Sequence, residues 1–263
     1  MGLGIMKKTS IVIAIIAWVL VVVVAVAFLV TRTAGQAGLL KEETLALQEV
    51  NSIVVKADSL TVEVVSTSAN QASIRQYGSA STASYNLFTV DLRNGSATIN
   101  VEQRIVLFRL GITPDVLVVE IPIAWSGDVE ISSNSGGIKL KNSFSWKNIS
   151  VSSTSGAIRV YEGITATNLS LSSTSGAIRI NGAITATNLT LSSTSGGISA
   201  DKALTVAEKL TIDCNSGRIA LNASIKAREI YARATSGGIR LGETDAAKFE
   251  LMSNSGAIRV ATL

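Results

Sequence analysis

The amino-acid sequence predicts an all-β fold: a single-stranded β-solenoid, or β-helix, of about 20-residue coils, preceded by one N-terminal transmembrane helix. Three observations predict it. A Ser-Gly pair recurs seven times at nearly constant spacing, apolar and polar residues alternate on both sides of each pair, and Ile11 to Val30 contains no charge.

The apolar run comes first. Residues 11–30 would span ~30 Å as a helix at ~1.5 Å per residue, the hydrocarbon thickness of a bilayer. Lys7 and Lys8 precede it, and only Arg32 follows before Lys41. That charge bias places residues 1–10 as a cytoplasmic stub and the rest of the chain outside the cytoplasm, in a single-pass cell-membrane protein. A cleaved signal peptide is the competing reading, with Ala25-Val26-Ala27 as the cleavage site. Phe28, Leu29 and Val30 continue the apolar run past that site, which favours an uncleaved anchor. Residues 31–47 read as a juxtamembrane linker.

Residues 48–128 alternate without a strict period. "LTVEVV" from Leu60, "NLFTVDL" from Asn86, "SATINV" from Ser96 and "DVLVVEIPI" from Asp115 read as strands. Asn94-Gly95 is a hairpin signal. This part is expected to be the irregular beginning of the solenoid, covering its open end.

Residues 129–263 carry the regular repeat. The glycines of the pairs are Gly136, Gly156, Gly176, Gly196, Gly217, Gly237 and Gly256, spaced by 20, 20, 20, 21, 20 and 19 residues. Two residues after each comes isoleucine, Ile138 through Ile258, and further apolar residues lie four after, seven before and five before. Each unit therefore predicts two short strands joined by an Asn/Thr-Ser-Gly turn. The glycine is expected to supply a positive φ, with Ser and Asn/Thr side chains bonding the turn backbone. No unit can bury its apolar face alone, so the units stack, and at ~4.8 Å per coil seven of them make roughly 34 Å. Three before the glycine only small residues occur, including Cys214, which reads as the small residue of its coil.

Composition excludes much chemistry. There is no histidine and one cysteine, so a histidine base, the usual triads, a disulfide and a cysteine-based zinc site are absent. Only 5% of residues are aromatic against 47% apolar, so the core is built of small aliphatic side chains. Asp201, Glu208 and Asp213 are scattered among columns, unlike the clustered carboxylates of a solenoid lyase, and the Thr-x-Thr pair at Thr165 and Thr185 lapses too soon for an ice-binding ladder. No enzyme activity, cofactor, metal or nucleic-acid partner is expected. One column stands out three residues after the glycine: Lys139, Arg159, Arg179, Ser199, Ala220, Arg240 and Arg259. Its five cations either contact an anionic surface or form a solvated face. From Gly127 onward 14 Lys and Arg face 10 Asp and Glu, so carboxylates offset much of this charge.

An N-terminal anchor, then "SLTVEVVSTSANQASIRQYG", then "DVLVVEIPIAWSGDVEISSNSGGIKL" and seven Ser-Gly-x-Ile coils together resemble the bacterial putative-adhesin family of unknown function. The resemblance covers residues 48–263 and implies a membrane-anchored single-stranded β-solenoid. It supplies no catalytic residues. The expected role is a non-catalytic adhesion or surface-interaction module, with an accessory of cell-envelope stress signalling or a self-assembling scaffold as alternatives. Expected partners are the membrane itself, an anionic cell-wall polymer or other membrane proteins. "IRVATL" follows the last coil without a polar cap, so end-to-end self-association is a further expectation.

Overall fold

The computed structural model describes residues 37–78, 87–102 and 115–262. The stretch Ile11–Val30, read above as a membrane helix, lies outside them. No helix among the described residues is long and apolar enough to cross a membrane.

Seven strands precede the regular coils: β1 (Gly38–Ala46), β2 (Ser52–Ala57), β3 (Thr61–Thr67), β4 (Gln71–Gly78), β5 (Thr89–Arg93), β6 (Ser96–Val101) and β7 (Val116–Pro122). Thirteen follow. Long strands are β8 (Asp128–Ser133), β10 (Phe144–Ser153), β12 (Ile164–Ser173), β14 (Ile184–Ser193), β16 (Leu204–Cys214) and β18 (Ile225–Ala234). Short ones alternate with them: β9 (Ile138–Leu140), β11 (Ile158–Val160), β13 (Ile178–Ile180), β15 (Ile198–Ala200) and β17 (Ile219–Leu221). In the last coils β19 (Ile239–Ser253) runs through both roles, and β20 (Ile258–Thr262) ends the series.

Long strands pair only with long strands and short with short, always parallel and one coil apart, as in Arg159 opposite Arg179 and Leu169 opposite Leu189. The fold is thus an all-β single-stranded solenoid of about seven regular turns. Alternation sets its core. Ile158, Val160, Ile164, Leu169 and Leu171 of one coil are all at most 2% exposed, and the same columns repeat above and below. Each such side chain contributes ~1.5–3 kcal/mol by leaving water.

From β10 to β18 each long strand is kinked. Thr167 and Asn168 are exposed in succession, and Thr167 drops out of the pairing with the next coil, so each coil has the two expected strands, the longer one interrupted at this point. The kink also absorbs the irregular spacings. The 21-residue interval comes from one extra residue between Val206 and Lys209. The 19-residue interval comes from the other corner, where Thr244 takes the column position of Ile225 and Gly242 packs on the Ala223 carbonyl.

The irregular part does not stack in chain order. β2 lies between β6 and β8, and β3 between β7 and β9, so the chain steps back over one finished coil before the regular winding begins. Trp125 marks that crossing. Its indole N–H donates to the Val50 carbonyl at 2.8 Å, and its ring meets Trp146 edge-on at 6.4 Å. Antiparallel strands close this end: β4 on β7 and β1 on β4 in the short-strand sheet, and β5 on β6 in the other. Asn94-Gly95 turns the β5–β6 hairpin, with φ of 50° and 74°.

The repeat glycines act differently from the sequence expectation. Among the described residues only Asn94 and Gly95 have positive φ, so none of the seven turn glycines does. Their requirement is closeness. A Cβ built on Gly156 or Gly176 would lie 2.0 Å from the carbonyl oxygen of the glycine one coil earlier. The hydroxyl that ties the turn is also displaced from the expected position. It belongs to the small column three residues before the glycine. The Gly156 N–H donates to Ser153 Oγ at 2.9 Å, and Ser153 Oγ donates to the Gly136 carbonyl at 3.5 Å. Ser173 repeats both bonds in the next coil.

Gly176→Ala is therefore expected to cost about 3 kcal/mol, the upper end for overpacking, because backbone and not a movable side chain blocks the methyl. Gly137→Ala, whose Cβ would sit 3.4 Å from the Ala157 carbonyl, is expected within about 0.5 kcal/mol of the parent. Denaturant unfolding followed by circular dichroism checks both, and equal stability of the two variants would remove the close-approach requirement.

Candidate functional site

The basic column runs along the outer face of the short-strand sheet. Register places Lys139, Arg159 and Arg179 on consecutive coils, then Ser199 and Ala220, then Arg240 and Arg259. The inward neighbours of each, such as Ile158 and Val160 around Arg159, are fully buried, so the cation points outward. The structure thus splits the five residues into a group of three and a group of two.

Their electrostatics also differ. Glu63 of β3 stands opposite Lys139, and the Lys139 ammonium donates to Glu63 Oε1 at 2.8 Å. Lys141 lies 3.8 Å from the other oxygen of the same carboxylate. At the irregular end the column is therefore neutralised. Arg75 and Glu120 form a further pair on the same sheet. Among the described residues no carboxylate lies within ion-pair distance of Arg159, Arg179, Arg240 or Arg259. Like charges one coil apart in the same register are mildly destabilising, so the unanswered pairs Arg159–Arg179 and Arg240–Arg259 are held at some cost.

A second column had no part in the sequence expectations. At the kink of the long strand stand Asp128, Asn148, Asn168 and Asn188, joined amide to carbonyl. Asn188 donates to Asn168 at 3.0 Å, Asn168 to Asn148 at 2.7 Å, and Asn148 to the Asp128 carboxylate at 2.8 Å. The ladder borders a shallow groove of about 440 Å³ whose other wall is Ser150, Ser170 and Thr190. This face is amide- and hydroxyl-rich, with Asp128 and Glu130 at one end, and each amide already spends one donor on its neighbour. Its signal was present in the "TATNL" of two coils, but asparagine beside a turn reads first as turn chemistry. Further along, the column becomes Lys209, Glu229 and Lys248. Tyr231 sits between the two lysines, 4.5 and 4.8 Å from their ammonium groups, and donates to Glu229 at 3.0 Å. The Tyr231 hydroxyl bonded to Lys248 raises the pKa of that ammonium and holds it cationic.

Residues 50–262 match the family model described as Toastrack DUF4097. Two solved structures share the fold. A putative adhesin from Bacteroides fragilis is 15% identical with a TM-score of 0.55, over 85% of this chain and 96% of that one. A putative adhesin from Parabacteroides distasonis is also 15% identical, with a TM-score of 0.52 over 87% of this chain and 98% of that one. At such identity the likeness concerns the fold alone. No curated protein matches the chain.

Cys214 occupies the serine column. Its Sγ is bonded to the Gly196 carbonyl at 3.3 Å, as serine hydroxyls are in other coils, and the residue is 2% exposed. Burial pushes the thiol pKa up, opposed by the Gly217 N–H bond. Folding thus favours the neutral thiol. That contribution is complete below the ordinary thiol value of about 8.5 and is lost as pH rises through the higher folded value. At pH 8 the native chain is expected to react with a disulfide reagent roughly tenfold or more slower than the unfolded chain. Between pH 8 and 10 the stability of the parent relative to Cys214→Ser is expected to fall. Fast native labelling, or a stability difference that does not change with pH, would contradict the buried neutral thiol.

Proposed function

This chain belongs to the Toastrack DUF4097 family, and from that premise we propose that it is a non-catalytic, membrane-anchored module that holds its solenoid outside the cytoplasm and contacts an anionic surface. The observation that carries the reading is the uneven treatment of one column. Lys139 is answered by Glu63, whereas Arg159, Arg179, Arg240 and Arg259 face solvent with no carboxylate in ion-pair reach among the described residues. A face kept only for solubility would tolerate interspersed acids, as at Arg228 and Glu208, 2.8 Å apart. The uncharged run at residues 11–30 and its lysine flank support the anchor.

A second reading has its own observation. On the last coil Ile258 is 41% exposed, although Ile239, its partner one coil earlier, is buried in the core. Together with the outer edges of β19 and β20, which pair with no further strand among the described residues, this supports end-to-end pairing of two solenoids, the scaffold alternative.

The full chain held in zwitterionic nanodiscs is expected to co-sediment with purified cell walls and phosphatidylglycerol liposomes at about 0.01 M salt. It should release them towards 1 M, where the screening length falls from about 30 to about 3 Å. The variant R159Q/R179Q/R240Q/R259Q is expected to stay in solution throughout. Salt-insensitive binding, or none by the parent, would refute the anionic-surface role. For the scaffold reading, mass photometry should find disc pairs that Ile258→Lys abolishes; single discs at every concentration would rule it out.

A further inference from the structure

We infer that Arg218, Arg240 and Arg259 form a discrete phosphate-binding cleft on the outer face of the short-strand sheet. The inference rests on the anionic-surface reading and narrows it to one place and one chemical group.

The argument starts from a column that should hold nothing. One residue after each turn glycine come Gly137, Ala157, Ala177, Gly197, Arg218, Gly238 and Ala257. Six coils put the smallest side chains there. The position faces outward, on the same side of the sheet as the basic column two residues later, because the isoleucine between them is buried in the core. Arg218 is exposed and is the single long side chain of that column.

Its coil is also one of the two in which the basic column fails. Where Arg159 and Arg179 stand in earlier coils, this coil has Ala220. The guanidinium has moved two residues along the strand. It now stands diagonally across from Arg240, and Arg240 stands opposite Arg259 on the next coil. Diagonal neighbours in a sheet lie ~7–8 Å apart, within reach of long side chains.

Small residues complete the cleft. Gly238 and Ala257 lie over Arg218 in the same column and leave the space beside it unfilled. The result is a cleft of about 260 Å³ lined by Arg218, Gly238, Ile239, Arg240, Ala257 and Arg259. Its lining contains three guanidinium groups and no acid. Glu243, the first acid after Arg240 along the chain, lies beyond the Gly242 corner, and among the described residues it is in no ion pair with these arginines. The cleft is smaller than the ~300–1,000 Å³ of a drug-sized ligand site, and its size suits a single anionic group. Arginine forks match phosphate oxygens bidentately, which makes a phosphate monoester or diester the fitting ligand. The Lys139, Arg159 and Arg179 group has alanine at Ala157 and Ala177 but no long residue in that column to wall off a cleft.

The test uses the full chain in zwitterionic nanodiscs. Inorganic phosphate is titrated calorimetrically, and phosphatidylglycerol liposomes are tested by co-sedimentation. Arg218→Ala is expected to weaken binding about tenfold or more, and Arg218→Lys to an intermediate extent because the charge stays and the fork is lost. Arg159→Ala with Arg179→Ala, which thins the wider basic face, should weaken binding by less than Arg218→Ala does. Arg218 is exposed, so circular dichroism should show unchanged folding in its variants. Sensitivity to Arg218→Ala for inorganic phosphate supports a site for the free group, and sensitivity for phosphatidylglycerol alone supports a site for lipid headgroups. If the paired Arg159 and Arg179 variant abolishes binding while Arg218→Ala does not, the cleft is refuted and the broader anionic face survives. If the parent binds neither probe but still binds cell walls, the cleft is refuted and the anionic-surface reading stands; if it binds none of the three, both fall.

Discussion

The whole solenoid depends on how closely consecutive turns can approach. At each Ser-Gly turn one backbone lies directly on the backbone of the coil before it, with no space for even a methyl group between them. That contact does two jobs. It lets the carbonyl and N–H groups of the bend pair from coil to coil, as Ser175 N–H does with the Thr154 carbonyl at 2.8 Å. It also pins the rotation of each coil about the axis, since a slip of one residue would push a side chain into the contact and turn every core residue outward. The buried Ser153 and Ser173 hydroxyls reinforce it by bonding across two coils at once. Once the turn is pinned, every other position in the unit becomes a column, and the corners alone are free to gain or lose a residue.

Pinned columns explain why most of the fold was legible. The Ser-Gly phase located every coil, and the apolar columns fell inward as the alternation demands. What the sequence hid has a physical cause in each case. Positive φ and steric closeness both select glycine, and only the stacked backbone tells them apart. The kink at Thr167 and Asn168 is marked by two polar residues in succession, a signal indistinguishable from an ordinary strand end. The insertion of β2 and β3 between later strands has no local signature at all, because pairing between segments so distant along the chain depends on how the chain crosses at Trp125. Among the candidate site residues, the basic column was readable, but the neutralisation of Lys139 was not, since its partner Glu63 belongs to the irregular part.

The two ends of the solenoid are built to different standards. Antiparallel strands cover the first coils, and Phe88, fully buried, plugs that end with its N–H donating to Gln76 at 2.9 Å. At the other end Phe249, Leu251 and Val260 are only partly covered. Burial that elsewhere contributes ~1.5–3 kcal/mol per side chain is incomplete there, so this end gains most from any partner that covers it. The same end carries Arg218, Arg240 and Arg259.

That coincidence bears on where function resides in a repeat. In a solenoid each coil is held by its neighbours, so the residues of a column are interchangeable as far as stability is concerned. A residue that departs from its column is then informative in a way that it is not in an irregular fold, because six or more other coils show what stability alone requires. Arg218 departs from a column of glycine and alanine, and Tyr231 from a column otherwise of serine, threonine and glutamate. Neither is needed to stack the coil, as the neighbouring coils stack without them. Both lie in the coils that approach the uncovered end. A binding role confined to this end would leave the coils between it and the capped end as a spacer, holding the contact site about eight strand spacings, ~38 Å, from β1, the strand nearest the proposed anchor.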